Sequence, residues 1–163
     1  MKRVLLIRHG LAGERDPRAS EASDTLRPLT AKGRKRLEKI RSLIKSFEIE
    51  PEIIATSSLL RAKQTAEIFA KSWKDASIEV WPELSPEFSV EQVAQMIAKN
   101  QPDGLALVGH EPMLAELMRY FLSSGKMPIS GLKKGSIVML EFPEQIEEGG
   151  AQLQFHLNAA LLD

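Results

Sequence analysis

The chain has 163 residues, a length that suits one domain and buries roughly two-thirds of the unfolded chain's surface on folding. Twenty-two basic residues cancel twenty-two acidic ones, which argues against a general nucleic-acid or membrane-surface binder. There is no cysteine, and the three histidines are His9, His110 and His156. Disulfides and thiolate metal sites are therefore excluded, and a multi-histidine metal site is hard to build.

Met1-Lys2-Arg3 begins like a charged leader, but the apolar run Val4-Leu5-Leu6-Ile7 is cut off by Arg8, far short of a signal core. No other run approaches the ~20 apolar residues of a membrane span. The expectation is a cytoplasmic protein with no membrane partner. The run 4–7 reads as a strand buried on both faces that ends at Arg8-His9-Gly10. Residues 11–29 are polar, carry Pro17 and Pro28, and read as a long surface loop, a kind that is often functional or mobile. Leu37, Ile40, Leu43, Ile44 and Phe47 recur at helical spacing, predicting a helix over 31–47. Ile53-Ile54-Ala55 is a second short strand. Ser57 and Ser58 offer N-caps for a helix whose inner face is Ala62, Thr65, Ala66 and Phe69.

A short strand follows over 78–81. Ser89 to Gln92 is a capping-box sequence before Val93, Ala94 and Ile97. Leu105-Ala106-Leu107-Val108 is another buried-type strand, stopped by Gly109-His110, and Pro112 suits the first turn of the next helix. Residues 137–142 and 153–157 read as a hairpin around Glu147-Glu148-Gly149-Gly150. The alternation of strands and helices predicts an α/β fold. It would be a three-layer α/β/α domain over 1–163, with a mostly parallel central sheet and an antiparallel edge.

In such sheets ligands bind beyond the carboxyl ends of the strands. Three of those ends carry Arg8-His9, Ser57 with Arg61, and Gly109-His110. Arginine forks suit phosphate oxygens, and Arg8 and Arg61 can together neutralise a phosphoryl group. Arg61 falls in the first turn of its helix, where free backbone N–H groups also favour anions. A neutral imidazole can attack phosphorus, and a second can steady the equatorial oxygens. This chemistry calls for no metal and no cofactor. The plainer readings are a solvated Arg-His rim and a Gly-His helix start. His156 lies in a predicted strand with no partner motif and reads as structural. His110-Glu111 starts a zincin-like string, but Leu114 stands where the second histidine belongs. Residues 131–136 lack the spacing of a phosphate-binding P-loop.

Leu6-Ile7-Arg8-His9-Gly10 resembles the signature of the histidine phosphatase superfamily, the phosphoglycerate mutase-like fold. Arg27-Pro28-Leu29-Thr30-Ala31-Lys32-Gly33, the arginine segment from Ser57 to Glu67, and Val108-Gly109-His110-Glu111-Pro112 follow in the order that family requires. The resemblance spans residues 3 to 115. The short chain, with no room for a cap domain, is most similar to SixA-type phosphohistidine phosphatases. The resemblance implies that His9 is the nucleophile and carries a transient phosphohistidine. Arg8, Arg61 and His110 would complete the phosphate pocket, and Ser57 would stand near it without assigned chemistry.

The family's general acid is where the match thins. Its glutamate position is taken by Pro86, leaving Glu87 one step beyond, and Glu111 follows the second histidine. Glu87 and Glu111 are the two candidate acids. The plainer readings are a solvated loop carboxylate and a favourable charge near a helix start. An alkoxide leaving group needs a proton in the transition state, whereas a phosphorylated imidazole leaves more easily. A site without a well-placed acid therefore favours phosphohistidine or activated esters.

The expected partner is a phosphorylated protein or a small phosphorylated substrate, with no nucleic acid. Rival readings are a small-molecule phosphomonoesterase or mutase, and a non-catalytic phosphoprotein-binding module. Lys32, Arg34, Lys35, Arg36, Lys39, Arg41 and Lys45 make the first helix basic. This reads as a solvated face, or, more sharply, as a docking face for an acidic protein.

Overall fold

The computed structural model describes residues 1–163. Strand β1 (Lys2–Arg8) sits inside a six-stranded sheet. Its apolar run explains the placement: Val4 and Leu6 enter one core while Leu5 and Ile7 enter the other. A strand whose successive side chains point to opposite faces can be apolar throughout only if both faces are covered. The remaining strands are β2 (Ile53–Thr56), β3 (Ser77–Val80), β4 (Gly104–Gly109), β5 (Ile137–Phe142) and β6 (Gln152–Leu157). Their order is β3-β2-β4-β1-β5-β6. The first four pair in parallel, and β5 and β6 add an antiparallel edge.

Helices α2 (Ala31–Ile44) and α3 (Leu60–Ala70) cover one face through Leu37, Ile40, Ala62, Ala66 and Phe69. Helices α4 (Val90–Asn100) and α5 (Met113–Ser123) cover the other through Val93, Ile97, Leu114, Leu117 and Phe121. The three-layer α/β/α architecture with an antiparallel edge is the one expected. No helix is long and apolar enough to cross a membrane.

Several local expectations change. The stretch 11–29 contains a short helix, α1 (Glu21–Thr25), capped by the Ser20 hydroxyl, which accepts the Ser23 N–H. It is closed by an isolated bridge between Ala12 and Leu29. Helix α2 stops at Ile44 and tightens into a 3-10 turn, Lys45–Phe47, before Glu48 takes a left-handed backbone at φ 49°. Neither Ser57 nor Ser58 caps α3. Leu59 holds that position without a side-chain cap, and the Ser57 hydroxyl pairs with His110 at 2.7 Å while accepting the Leu59 N–H at 3.4 Å. Pro112 precedes α5 rather than entering it. Part of the basic α2 face is occupied: Lys32 and Arg36 pair with Asp163, and Lys39 donates to the Leu162 carbonyl.

Candidate active site

Strand register brings the site together. In the parallel ladders Arg8 lies opposite Gly109, and Thr56 opposite Val108. The residues just beyond are His9, Ser57 and His110, so three chain segments far apart in sequence emerge side by side. The ladder continues one step past the strands: the His9 N–H donates to the Gly109 carbonyl at 3.1 Å, and the Ser57 N–H to Val108 at 3.2 Å. The loop before β5 closes the other side. There the Arg8 N–H donates to Ser136 at 3.0 Å, and the Gly135 N–H to the His9 carbonyl at 2.9 Å.

His9 and His110 are each only 5% exposed. Their rings are 4.9 Å apart between centroids and tilted by 48°. His9 Nδ1 lies 2.7 Å from the Gly10 carbonyl oxygen. A carbonyl can only accept, so Nδ1 carries the proton and a neutral ring leaves Nε2 with a free lone pair. Burial, helped by His110, Arg61 and Arg8, lowers the His9 pKa to about 3 against the bond to Gly10. Burial with Arg61 and Arg8 lowers that of His110 to about 4. Both rings are therefore neutral near neutral pH. His156 stands apart on the edge strand β6, opposite Val138.

Arg61 projects from the first turn of α3 and is buried. It donates from Nη1 to the Asp24 carbonyl at 3.0 Å and from Nη2 to the Asp24 carboxylate at 3.3 Å. The same carboxylate accepts from Arg27 Nε at 3.0 Å. Burial works to raise the Asp24 pKa, but Arg61 and Arg27 outweigh it and hold the carboxyl below its usual range. Arg8 donates from Nη1 to the Leu132 carbonyl at 2.6 Å. In both Arg8 and Arg61 the Nε–H is buried and has no partner. Unpaired buried donors on cations are costly, and here they flank two neutral imidazoles. The arrangement suits a small oxyanion.

Of the two carboxylates considered as acids, Glu111 belongs to this cluster. Its Oε1 accepts the Leu132 N–H at 3.1 Å, so the Leu132 peptide groups are held between Glu111 and Arg8. Burial raises the Glu111 pKa against the opposing Leu132 N–H and Arg8. Glu87 is exposed, beyond the turn Pro82–Leu84, and its side chain makes no hydrogen bond or ion pair. Asp24 lies outside the sequence motifs, although its partner Arg27 lies inside one of them. Its pairing with Arg27 is local, but its pairing with Arg61 spans 37 positions and leaves no local signal.

Residues 4–94 match the model of the histidine phosphatase superfamily (branch 1). The chain belongs to the histidine phosphatase superfamily. The matched span contains Arg8, His9 and Arg61, and His110 lies beyond it. An uncharacterized protein of Picosynechococcus sp. is 34% identical over 161 residues, covering 97% of this chain and 92% of that one. The phosphohistidine phosphatase SixA of Escherichia coli is 31% identical over 119 residues, 71% of each chain. Among solved structures, the protein histidine phosphatase SixA complexed with tungstate superimposes with a TM-score of 0.82 at 25% identity, covering 99% of both chains. A mycobacterial glucosyl-3-phosphoglycerate phosphatase shares the fold with a TM-score of 0.67 at 17% identity, covering 97% of this chain and 99% of that one. Within the superfamily the chain is SixA-like in sequence and fold.

Proposed function

We propose that this histidine phosphatase removes phosphoryl groups from phosphohistidine in proteins, through a covalent intermediate on His9. One observation carries the reading: a buried imidazole whose Nδ1 is bonded to Gly10 and whose Nε2 is free lies beside two arginines with unpaired Nε–H groups. Residues 1–163 act as one catalytic unit, without a cap domain. Arg8, Arg61 and His110 hold the non-bridging oxygens. His9 Nε2 attacks phosphorus in line, the phosphorus–nitrogen bond of the substrate breaks, and its electron pair leaves on the substrate imidazole, whose other ring nitrogen already carries a proton, so the ring departs neutral. Water then attacks the phosphorus on His9. The bond to Nε2 breaks, its electron pair returns to the ring, solvent takes the released proton, and inorganic phosphate departs. The arginines supply the positive charge, so the reaction needs no metal. The likeness to a SixA structure that holds tungstate, a tetrahedral oxyanion, supports the phosphate pocket.

The test incubates the protein with phosphohistidine proteins and alkyl phosphates in parallel, in the presence of chelator. Turnover of phosphohistidine is expected, with an acid-labile phosphoryl group trapped on the enzyme. His9→Ala loses both. Full activity in that variant removes the nucleophile assignment, and tight binding without turnover in wild type supports a binding module instead. The second reading, a small-molecule phosphomonoesterase, is favoured by one observation: the Glu111 carboxyl, whose pKa burial raises against the opposing pull of Arg8, is suited to protonate a leaving oxygen. Faster turnover of alkyl phosphates, lost in Glu111→Gln, selects that reading.

A further inference from the structure

Lys134 sits in the loop that closes the site. The next residue, Gly135, donates its N–H to the carbonyls of both Arg8 (3.1 Å) and His9 (2.9 Å). Gly135 needs a positive φ, 80°, to make this turn, and an added Cβ would meet Ala159 at 3.2 Å. The backbone at 134 is thus held against the nucleophile's own peptide. The Lys134 side chain is half-buried yet makes no hydrogen bond or ion pair. Burial, then Arg8, Arg27 and Arg61, hold its pKa below the ordinary value.

The charges around the opening do not balance. The cations are Arg8, Arg27, Arg61, Lys134 and Arg15, whose Nε is 3.9 Å from the Asp24 carboxylate. The carboxylates are Asp24 and Glu111. A phosphoryl group brings about two negative charges, which leaves one cation without a counter-charge. The arginines have partners among the loop carbonyls and Asp24. Lys134 has none. We infer that Lys134 is a specificity residue that reads a second anionic group on the substrate, such as an aspartate or glutamate next to the phosphorylated residue.

This deepens the phosphohistidine reading and rests on it for the substrate, though not for the placement of the lysine. The test uses two matched peptide pairs, one phosphohistidine and one phosphotyrosine. Each pair differs only in acidic or amide residues flanking the phosphoryl group. Wild type prefers the acidic member of each pair through a lower KM. In Lys134→Gln that preference falls roughly fivefold, toward unity, and added salt erodes it in wild type but no longer in the variant. Lys134→Arg restores it. A simple loss of folding would lower kcat on all four peptides without changing the preference within a pair. A preference unchanged in Lys134→Gln, or absent in wild type, overturns the inference. Cleavage of the phosphotyrosine pair alone overturns the phosphohistidine reading and leaves Lys134 judged on that pair. An enzyme that cleaves neither pair overturns both.

Discussion

At the scale of single residues, one buried hydroxyl couples the two halves of the site. Thr65 is fully buried in α3. Its Oγ1 accepts the Gly10 N–H at 3.1 Å and donates to the Arg61 carbonyl at 2.7 Å. The bend that follows His9 and the helical turn that carries Arg61 are thereby tied through one atom. Valine has nearly the shape of threonine but cannot accept, so Thr65→Val strands the Gly10 N–H. The expected cost is about 1–3 kcal/mol of stability, read from urea unfolding. A lower kcat/KM accompanies it, because the Gly10 carbonyl that fixes the His9 tautomer loses its anchor. Wild-type stability and activity together would show that this hydroxyl holds nothing. Ser57 makes the complementary point. Its hydroxyl serves His110 rather than a helix cap, and no local pattern separates those uses.

At the scale of elements, helix α2 packs against the segment after His9 at one glycine. Thr30 caps the helix by accepting the Gly33 N–H at 3.0 Å, and its hydroxyl donates to the Leu11 carbonyl at 3.3 Å. A Cβ on Gly33 would lie 2.3 Å from that same carbonyl oxygen. Neither backbone can yield without moving the helix away from Leu11, two residues past His9. Gly33→Ala is therefore expected to destabilise by roughly 1–3 kcal/mol and to lower kcat/KM. Gly13→Ala is the control: nothing lies within 4 Å of its Cβ, so its stability stays within about 0.5 kcal/mol of wild type. Equal unfolding midpoints for the two variants would contradict the packing argument. The short helix α1 shows the same dependence on neighbours. Five residues are too few for a stable isolated helix, and it stands because Asp24 meets Arg61 and Arg27.

For the whole molecule, the buried imidazoles link folding to pH. Their folded pKa values, about 3 for His9 and about 4 for His110, lie below the ordinary 6.5. Below 6.5 the unfolded chain takes up protons that the folded chain refuses. Stability is then intact above that value and falls as pH drops toward 4 and then 3. Asp24, whose folded pKa is also depressed, adds a loss at still lower pH, below its unfolded value. Glu111, raised by burial, acts in the opposite sense and gains stability on protonation. The two histidines dominate the upper part of the window. The urea midpoint should therefore decline between about pH 7 and pH 5. Ring NMR signals of His9 and His110 should show no protonation over that range. A constant midpoint, or rings that titrate near 6.5, would place the imidazoles in a more solvated setting.

The sequence by itself determined the layered architecture and the strand ends. Branched apolar runs at 4–7 and 105–108 need cover on both faces, and a chain that alternates them with amphipathic helices has few other ways to bury both. It also set Arg8-His9 and Gly109-His110 at the carboxyl ends of two such strands, so the location of the candidate site followed from topology. Sequence could not supply the partners that depend on closure in three dimensions. Asp24 on Arg61, Glu111 on the Leu132 amide and Ser57 on His110 are contacts between separate segments. The choice between Glu87 and Glu111 as neighbour of the arginines was decided by the same closure. Hydrophobic period is a local property of the chain, whereas a charge finds its counter-charge only once the sheet register has brought distant segments to one edge.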